Sequence, residues 1–359
     1  MKARRVVILL YNVGRDAFSL SELLDRQEQY LTYYSQVHKT DHDKPLVLIS
    51  GYESNSILES DIYEIYSLTR RRLNFFTYLF FAVKQLRSCS SSSGFYIVAG
   101  TVLQPLIIGS LLKKFFHNSR LQVSVHGDLS AWRNKSVTNR LKELYVRLFG
   151  RNADLVRLVT AAQVEVAQRL FQHTSTEFCV CPIPIKHNLI VEGVRPRNEP
   201  RIGVVGRLHP ERGVDQWIQI SRQLLEYELE VVGDGPLKER VIKELPNANV
   251  IGRVEHSEVF ARYPRFSILL SAAPFESYGL SIREALLSGT PVVTRKTLGV
   301  AELLNQFPRI IKGFDTTDEA VKAIQELSKG YDKDSFLEFR EWFFKKQDEE
   351  LRGLVKHWK

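Results

Sequence analysis

The sequence has little cysteine and no long apolar segment. Its 359 residues include three cysteines, Cys89, Cys179 and Cys181, an odd number without the CxxC spacing of zinc sites. No run approaches the ~20 apolar residues that a transmembrane helix needs. The basic start of the chain leads into an apolar run, residues 6–10, that is too short for a signal peptide and predicts a first strand. We therefore expect a protein of the reducing cytoplasm, without a disulfide framework or a zinc site.

The composition is that of an ordinary folded protein with an asymmetric charge. Apolar residues make up 44% and charged residues 25% of the chain, which excludes disordered, collagen-like and fibrous classes. Residues 1–190 hold 24 of the 50 Lys and Arg but 15 of the 41 Asp and Glu, so they carry the whole net charge of +9. An excess of positive charge in one half indicates a surface for phosphates, an anionic membrane, nucleic acid or an acidic substrate. The alternative is that the charge only keeps the protein soluble. No nucleic-acid-binding module is recognisable, so we expect no nucleic-acid partner.

Short apolar runs alternate with longer helical patterns along the whole chain, which predicts parallel sheets covered by helices. At roughly 100–200 residues per domain, the length suggests two doubly wound α/β domains. Pro, Gly and charge at residues 191–200 indicate the linker, giving domains at 1–190 and 191–335. The aromatic pattern of residues 336–359 predicts a helix, which packs either back on the first domain or on the second. Strands are predicted at residues 6–10, 46–50, 96–99, 122–125, 155–159, 178–181, 202–205, 229–232, 249–251, 267–271, 291–294 and 309–311.

The strongest motif runs from Phe275 to Val293 and follows an apolar strand. The order strand, loop, helix, Gly, strand places Glu276 at the carboxyl end of a parallel strand, where open α/β sheets bind ligands. Glu284 lies eight residues later in the following helix, about 12 Å away if the helix were continuous, so the two are no acid/base pair. The backbone N–H groups of residues 279–281 are expected at the N-terminus of this helix, which is an anion site.

A second motif places two arginines after a predicted strand. Arg207 and Arg212 lie in the loop that Gly206 and Gly213 bracket. Arginine is suited to phosphate because its planar donor fork is always charged. A diphosphate is therefore the expected partner of this loop.

Five motifs follow one another over about 100 residues of the second half. They are Gly206-Arg207 with Arg212-Gly213, then Gly233-Asp234-Gly235-Pro236, Gly252-Arg253-Val254, Glu276 with Glu284 as E-x7-E, and Gly289-Thr290-Pro291-Val292-Val293. In this order they resemble the donor-binding domain of the retaining GT-B glycosyltransferases of family 4, the group 1 type, and the order makes the resemblance specific.

The resemblance implies a role for each matching residue of the second half. Glu276 contacts the hydroxyls of the donor sugar, and Glu284 binds the ribose. Arg207 and Arg212 hold the diphosphate, a role in which most relatives have Lys at the second position. The list of donor-binding residues is completed by Val254, which receives the base through its backbone, and by Gly279, Leu280 and Ser281 at the helix N-terminus.

The first half matches the family more loosely. His126 follows a buried strand and is similar to the histidine that lies near the reacting face of the sugar. Gly14 is the one glycine left in a first βα loop that is usually glycine-rich and touches the donor phosphate. The predicted catalytic residues are thus His126, Glu276, Arg207 and Arg212, and Gly14 is assigned to donor binding.

The resemblance also implies an architecture and an activity. The fold is GT-B, two Rossmann-like doubly wound domains facing a central cleft. The reaction is retaining transfer of a hexose from a UDP- or GDP-linked sugar to a glycan or lipid-linked acceptor, in surface polysaccharide biosynthesis. Because arginines stabilise the departing diphosphate, we expect no metal and no cofactor. A sugar-nucleotide epimerase of the same fold and a non-catalytic sugar-nucleotide-binding subunit are the alternatives.

Two basic, aromatic segments of the first half bear on the acceptor. Residues 70–87 and 111–116 combine Arg and Lys with Phe, Tyr and Leu. Such segments either lie on an anionic membrane, which suits a lipid-linked acceptor, or bury their aromatics in the core. The first interpretation predicts a cytoplasmic protein in peripheral contact with the inner face of the cell membrane.

Overall fold

The computed structural model describes residues 4–11, 20–38, 44–52, 57–59, 61–69, 75–89, 94–127, 129, 137–171, 175–190 and 200–358. Its contacts divide the chain into two compact units. The first unit comprises Met1–Pro184 together with Gln347–Lys359, and the second comprises Ile185–Lys346.

The first unit is built on an eight-stranded sheet in the order β3-β4-β2-β1-β5-β6-β7-β8. All neighbouring strands are parallel except β3 and β4, which are antiparallel. The chain thus builds outwards from β1 in both directions, as in doubly wound folds. The strands are β1 Arg5–Leu10, β2 Leu46–Tyr52, β3 Ile57–Glu59, β4 Glu64–Thr69, β5 Phe95–Ala99, β6 Arg120–Val125, β7 Leu155–Leu158 and β8 Glu177–Val180.

Helices cover both faces of this sheet, so its central strands are buried on both sides. One face packs against α2 to α5, with Leu48, Ile97 and Val123 at the centre of the core. The other face packs against α1 and the end of the chain, around Ile8 and Val98. The helices are α1 Leu20–His38, α2 Phe75–Ser88, α3 Gln104–Phe115, α4 Val137–Gly150 and α5 Val164–Phe171.

Strands β3 and β4 were missed by the sequence prediction. They form a hairpin at the sheet edge, where the prediction expected a helix to follow each strand. The buried side chains of Tyr63, Ile65 and Ser67 alternate with less buried ones, a period of two that could have revealed β4.

The second unit contains a six-stranded sheet, entirely parallel, in the order β11-β10-β9-β12-β13-β14. The strand order reverses between β9 and β12. Its strands are β9 Arg201–Val205, β10 Glu228–Val232, β11 Asn249–Gly252, β12 Ile268–Ser271, β13 Val292–Arg295 and β14 Ile311–Phe314. Its helices are α6 Val214–Arg222, α7 Lys238–Glu244, α8 His256–Arg262, α9 Leu280–Leu287, α10 Ala301–Gln306, α11 Thr317–Lys329 and the beginning of α12 Asp334–Lys356. The predicted pair of Rossmann-like α/β domains is confirmed.

Helix α12 belongs to the second unit at its start and to the first at its end. Within the second unit, Phe339 packs edge-on against Phe307, with ring centroids 5.2 Å apart. In the first unit, Leu351, Leu354 and the following Trp358 are buried in the core with Ile8 and Val98.

Candidate functional site

The site predicted in the second unit lies where the strand order of its sheet reverses. Strands β9 and β12 are parallel neighbours, so the loops that follow them leave the same edge of the sheet. Arg207 and Arg212 lie in the loop after β9, and Glu276 lies in the loop after β12. In open α/β sheets this reversal point is where ligands bind.

Gly213 lets the two loops touch. Its backbone is left-handed, with φ +68°, and a Cβ atom built on it would lie 2.0 Å from the carbonyl oxygen of Ala272. Any other residue would clash there, so glycine permits a contact that a side chain would prevent. The close approach places Arg212 beside Glu276, with Nη1 3.1 Å from Oε2. Arg212 keeps 39% of its side chain exposed, so it can still meet a ligand.

Arg207 is the second cation of this loop. Its side chain is 59% exposed, and its guanidinium lies 3.8 Å from the Glu211 carboxylate. A salt bridge of this length between exposed groups is weak. Arg207 can therefore turn to an incoming anion at little cost.

Backbone contacts fix the loop that carries Glu276. The N–H of Gly299 donates to the Glu276 carbonyl oxygen at 3.0 Å. After this loop, left-handed Gly279, with φ +70°, is the N-cap of α9. The amides of Leu280 and Ser281 lie in the first turn, where N–H groups have no acceptor inside the helix. This end of α9 has the geometry of an anion site.

Glu284, in the second turn of α9, is buried, and each of its carboxylate oxygens has a hydrogen-bond partner. The Tyr263 hydroxyl donates to its Oε2 at 2.8 Å, and His256 Nε2 lies 2.8 Å from its Oε1. Burial, and then the charge of Glu284, raises the pKa of Tyr263, so the tyrosine stays protonated and donates. A ribose hydroxyl would have to share Oε1 with His256, whose ring is 30% exposed.

Sequence reasoning missed His256 and Tyr263. Neither belongs to a recognised motif, and they lie 28 and 21 positions from Glu284. The one available signal was a buried glutamate in an apolar helix, which needs hydrogen-bond partners from elsewhere in the chain.

The remaining predicted residues are Val254, His126 and Gly14. Val254 is half-buried in the loop after β11, the edge strand of the second sheet. His126 follows β6 in the first unit and lines a cavity of about 280 Å³ there. Gly14 lies outside the described residues.

The described ranges show neither a metal-binding cluster nor a membrane-spanning helix. Within them, no three His, Cys, Asp or Glu side chains are grouped so that they could hold a metal ion. The same ranges contain no helix with the length and apolar character needed to cross a bilayer.

Part of the second unit is similar in sequence to known proteins. Residues 186–338 match the family Glycosyl transferases group 1. A GDP-mannose-dependent alpha-mannosyltransferase of Corynebacterium glutamicum is 30% identical over 105 residues, which are 29% of this chain and 25% of the relative. The match thus spans about a quarter of that relative's length.

Two solved structures share the fold over nearly the whole chain. Sucrose-phosphate synthase of Thermosynechococcus elongatus superimposes with a TM-score of 0.73 at 15% identity, covering 99% of this chain and 94% of its own. A lipopolysaccharide outer core galactosyltransferase gives 0.68 at 13% identity, covering 98% and 99%. Residues 186–338 are therefore similar in sequence to group 1 glycosyl transferases, and the whole chain shares its fold with a sucrose-phosphate synthase and a galactosyltransferase.

Proposed function

We propose that this protein is a retaining glycosyltransferase of family 4 that moves a hexose from a nucleotide-diphosphate sugar to a glycan or lipid-linked acceptor. The observation that carries the proposal is the pairing of Arg212 with Glu276 at the reversal point of the second sheet. A sugar diphosphate needs a cation for its phosphates and, next to it, an acceptor for its sugar hydroxyls. The contact between Arg212 and Glu276 places two such groups side by side.

The donor would lie along the carboxyl edge of this sheet. Arg207, Arg212 and the first amides of α9 bind the diphosphate, and Glu276 accepts hydrogen bonds from the sugar. Glu284 receives the ribose through Oε1, and the backbone of Val254 receives the base. The roles of His126 and Gly14 stay predictions from the sequence.

The chemistry follows from where charge develops. The bond between the anomeric carbon and the diphosphate oxygen breaks, and the acceptor oxygen bonds to the same face of that carbon. The acceptor's proton passes to the departing diphosphate, whose charge the arginines and the helix N-terminus stabilise. A covalent glycosyl-enzyme is not needed, because the acceptor oxygen enters on the face from which the diphosphate departs. A metal is not needed, because fixed cations stabilise the leaving group.

The descriptions of similar proteins support the proposed class of donor sugar. One relative is described as GDP-mannose-dependent, and a structural neighbour is a galactosyltransferase of lipopolysaccharide. Together with a third protein of similar fold, described in complex with UDP and glucose, these descriptions support a hexose linked to GDP or UDP, and surface polysaccharide biosynthesis as the setting.

We further propose that helices α2 to α4 rest on an anionic membrane. Four apolar residues on one side of α4 are 49–74% exposed: Val137, Leu141, Leu144 and Leu148. On α2, Tyr78 and Ala82 are buried but Phe76 and Phe80 are more than 70% exposed. Exposed basic residues accompany this apolar surface: Lys84, Arg87, Lys114, Arg140 and Arg147. Apolar side chains flanked by cations are what an interfacial helix presents to anionic lipid.

Thermal unfolding with a panel of nucleotides tests the donor site. UDP, GDP, ADP and their sugar conjugates are added to the wild type, to Arg212→Ala and to the control Arg222→Ala, which removes an exposed arginine that pairs with Glu244. A ligand at 100 times its Kd adds about 2.7 kcal/mol, so a shift of several degrees with one base is expected in the wild type and the control. The proposed donor site is rejected if no nucleotide shifts the transition, or if Arg212→Ala responds like the control.

A further inference from the structure

The cavity in the first unit lies on the sheet face that α1 and the end of the chain cover. It measures about 280 Å³, near the lower limit of small-molecule sites. Ile8, Leu10 and Val98 form an apolar wall, and Gln122, Ser124 and Arg157 supply polar groups from neighbouring strands. Such a combination suits a small ligand with an apolar face and a polar end.

Arg157 brings a buried positive charge to this cavity. It is 5% exposed, and its Nε donates to the Cys181 carbonyl oxygen at 3.1 Å. Its Nη2 donates to the Pro182 carbonyl oxygen at 2.7 Å and to the Tyr30 hydroxyl, and the guanidinium lies 4.6 Å from the centre of the Tyr30 ring.

All these partners of Arg157 are neutral. Within the described part of the chain, no carboxylate lies within salt-bridge distance of the guanidinium, and Nη1 has no hydrogen-bond acceptor. Burying a cation is costly unless an opposite charge accompanies it. The cavity beside Arg157 is the place where such a charge can enter.

Gln122 adds a second donor to the same cavity. It is 1% exposed, and its Oε1 accepts from Trp358 Nε1 at 2.8 Å and from the Tyr96 hydroxyl at 3.4 Å. These two donors fix the orientation of the amide. Its Nε2 has no acceptor among the described residues, and a buried donor left unpaired costs about 1–3 kcal/mol.

We propose that this cavity binds an anionic group, a carboxylate or a phosphate carried by a small sugar, which accepts hydrogen bonds from Arg157 and Gln122 Nε2. The apolar wall would pack against the ring of that sugar. Given the transferase proposed above, the anionic sugar would belong to the acceptor, but the site itself is defined without reference to the donor.

Binding of three matched probes tests the proposal. D-glucuronate carries a carboxylate, glucose 6-phosphate a phosphate, and glucose no charge, and each is titrated calorimetrically into the full chain at constant ionic strength. We expect at least one anion to bind, and glucose to bind at least tenfold more weakly or not at all. The anion that binds with the higher affinity shows whether the cavity prefers a carboxylate or a phosphate. Equal affinity for all three probes, or no binding, would overturn the proposal.

Variants then locate the binding. Gln122→Glu keeps the acceptor for Trp358 and replaces the free donor with a negative oxygen, so anion affinity is expected to fall at least tenfold. Gln347→Glu is the matched control, since Gln347 is also buried in the first unit but does not line the cavity. Arg157→Gln, which removes the charge while retaining donors for the two carbonyls, gives an independent measurement if the first variant unfolds.

Two comparisons separate this site from the donor site. Arg212→Ala is expected to bind the anionic sugar like the wild type, and Gln122→Glu is expected to keep the nucleotide-induced thermal shift. Anion binding lost in Arg212→Ala, or unchanged in both cavity variants, would place the anion elsewhere and refute the cavity assignment. Failure of nucleotide binding alone would reject the donor site and leave this one standing.

Discussion

The guanidinium of Arg212 lies 3.1 Å from the carboxylate of Glu276, although the two residues are 64 positions apart and follow different strands. The contact links the group proposed to hold phosphate with the group proposed to hold sugar. It also means that neither side chain can be replaced without changing the electrostatic surroundings of the other.

Replacing Glu276 with glutamine separates these two roles. Glu276→Gln removes the negative charge of the carboxylate proposed to accept hydrogen bonds from the sugar hydroxyls, but it leaves Arg212, the residue proposed to bind the diphosphate, in place. We expect the Kd for the nucleoside diphosphate to change less than threefold while turnover falls at least a hundredfold, about 2.7 kcal/mol in transition-state stabilisation. Calorimetry and a sugar-transfer assay measure the two quantities. An equal loss in binding and turnover would contradict the assignment of Glu276 to the sugar.

Because Gly213 lies so close to the Ala272 carbonyl, adding one methyl group at this position is expected to lower the free energy of unfolding. Gly213→Ala places a Cβ against the Ala272 carbonyl in a left-handed conformation, which alone costs about 1–2 kcal/mol. We expect a loss of about 2–4 kcal/mol of unfolding free energy, measured by urea denaturation, together with weaker nucleotide binding as Arg212 shifts. Gly353→Ala is the control, because its Cβ meets nothing within 4 Å and lies in a helix that favours alanine.

The hydrogen bond between Tyr263 and Glu284 predicts a stability effect. Tyr263→Phe leaves a buried carboxylate oxygen without its donor, which costs about 1–3 kcal/mol. Tyr227→Phe is the matched variant, since the Tyr227 hydroxyl makes no hydrogen bond within the described ranges, and little change is expected. Chemical denaturation of both proteins measures the difference, and equal midpoints would show that the bond to Glu284 contributes nothing.

The apolar surface of α4 predicts lipid binding that depends on exposed leucines. Leu141→Ser and Leu144→Ser together are expected to reduce sedimentation with vesicles containing anionic lipid at least fivefold. Stability should change little, because both side chains are at least half exposed already. Leu225→Ser, in the second unit and 85% exposed, is the control. Unchanged sedimentation of the double variant would argue against this surface as the membrane contact.

The sequence predicted most of the fold because the buried strands are short apolar runs with helical patterns between them. The loops that carry Arg212 and Glu276 were also recognised, since their glycines and charges follow strands at fixed spacing. The hairpin of β3 and β4 escaped because it breaks the strand–helix alternation.

Hydrogen bonds between residues that are far apart in the sequence could not be predicted. The amide of Gln122 and the indole of Trp358 are 236 positions apart, and the guanidinium of Arg157 meets Tyr30 across 127. No local pattern encodes such pairs, because they depend on which strands and helices become neighbours in the folded chain. No sequence motif therefore indicates the cavity that these residues form.

The burial of Trp358 against the first unit's sheet bears on how the protein is made. Strand β1 is synthesised before the second unit, yet one face of its sheet is completed by residues 351–358. The first unit therefore cannot close its core during translation until the whole second unit has been synthesised. The face that holds Ile8, Val98 and the amide of Gln122 therefore stays incomplete in the nascent chain until residues 351–358 are made, and Trp358 lies 236 positions after Gln122.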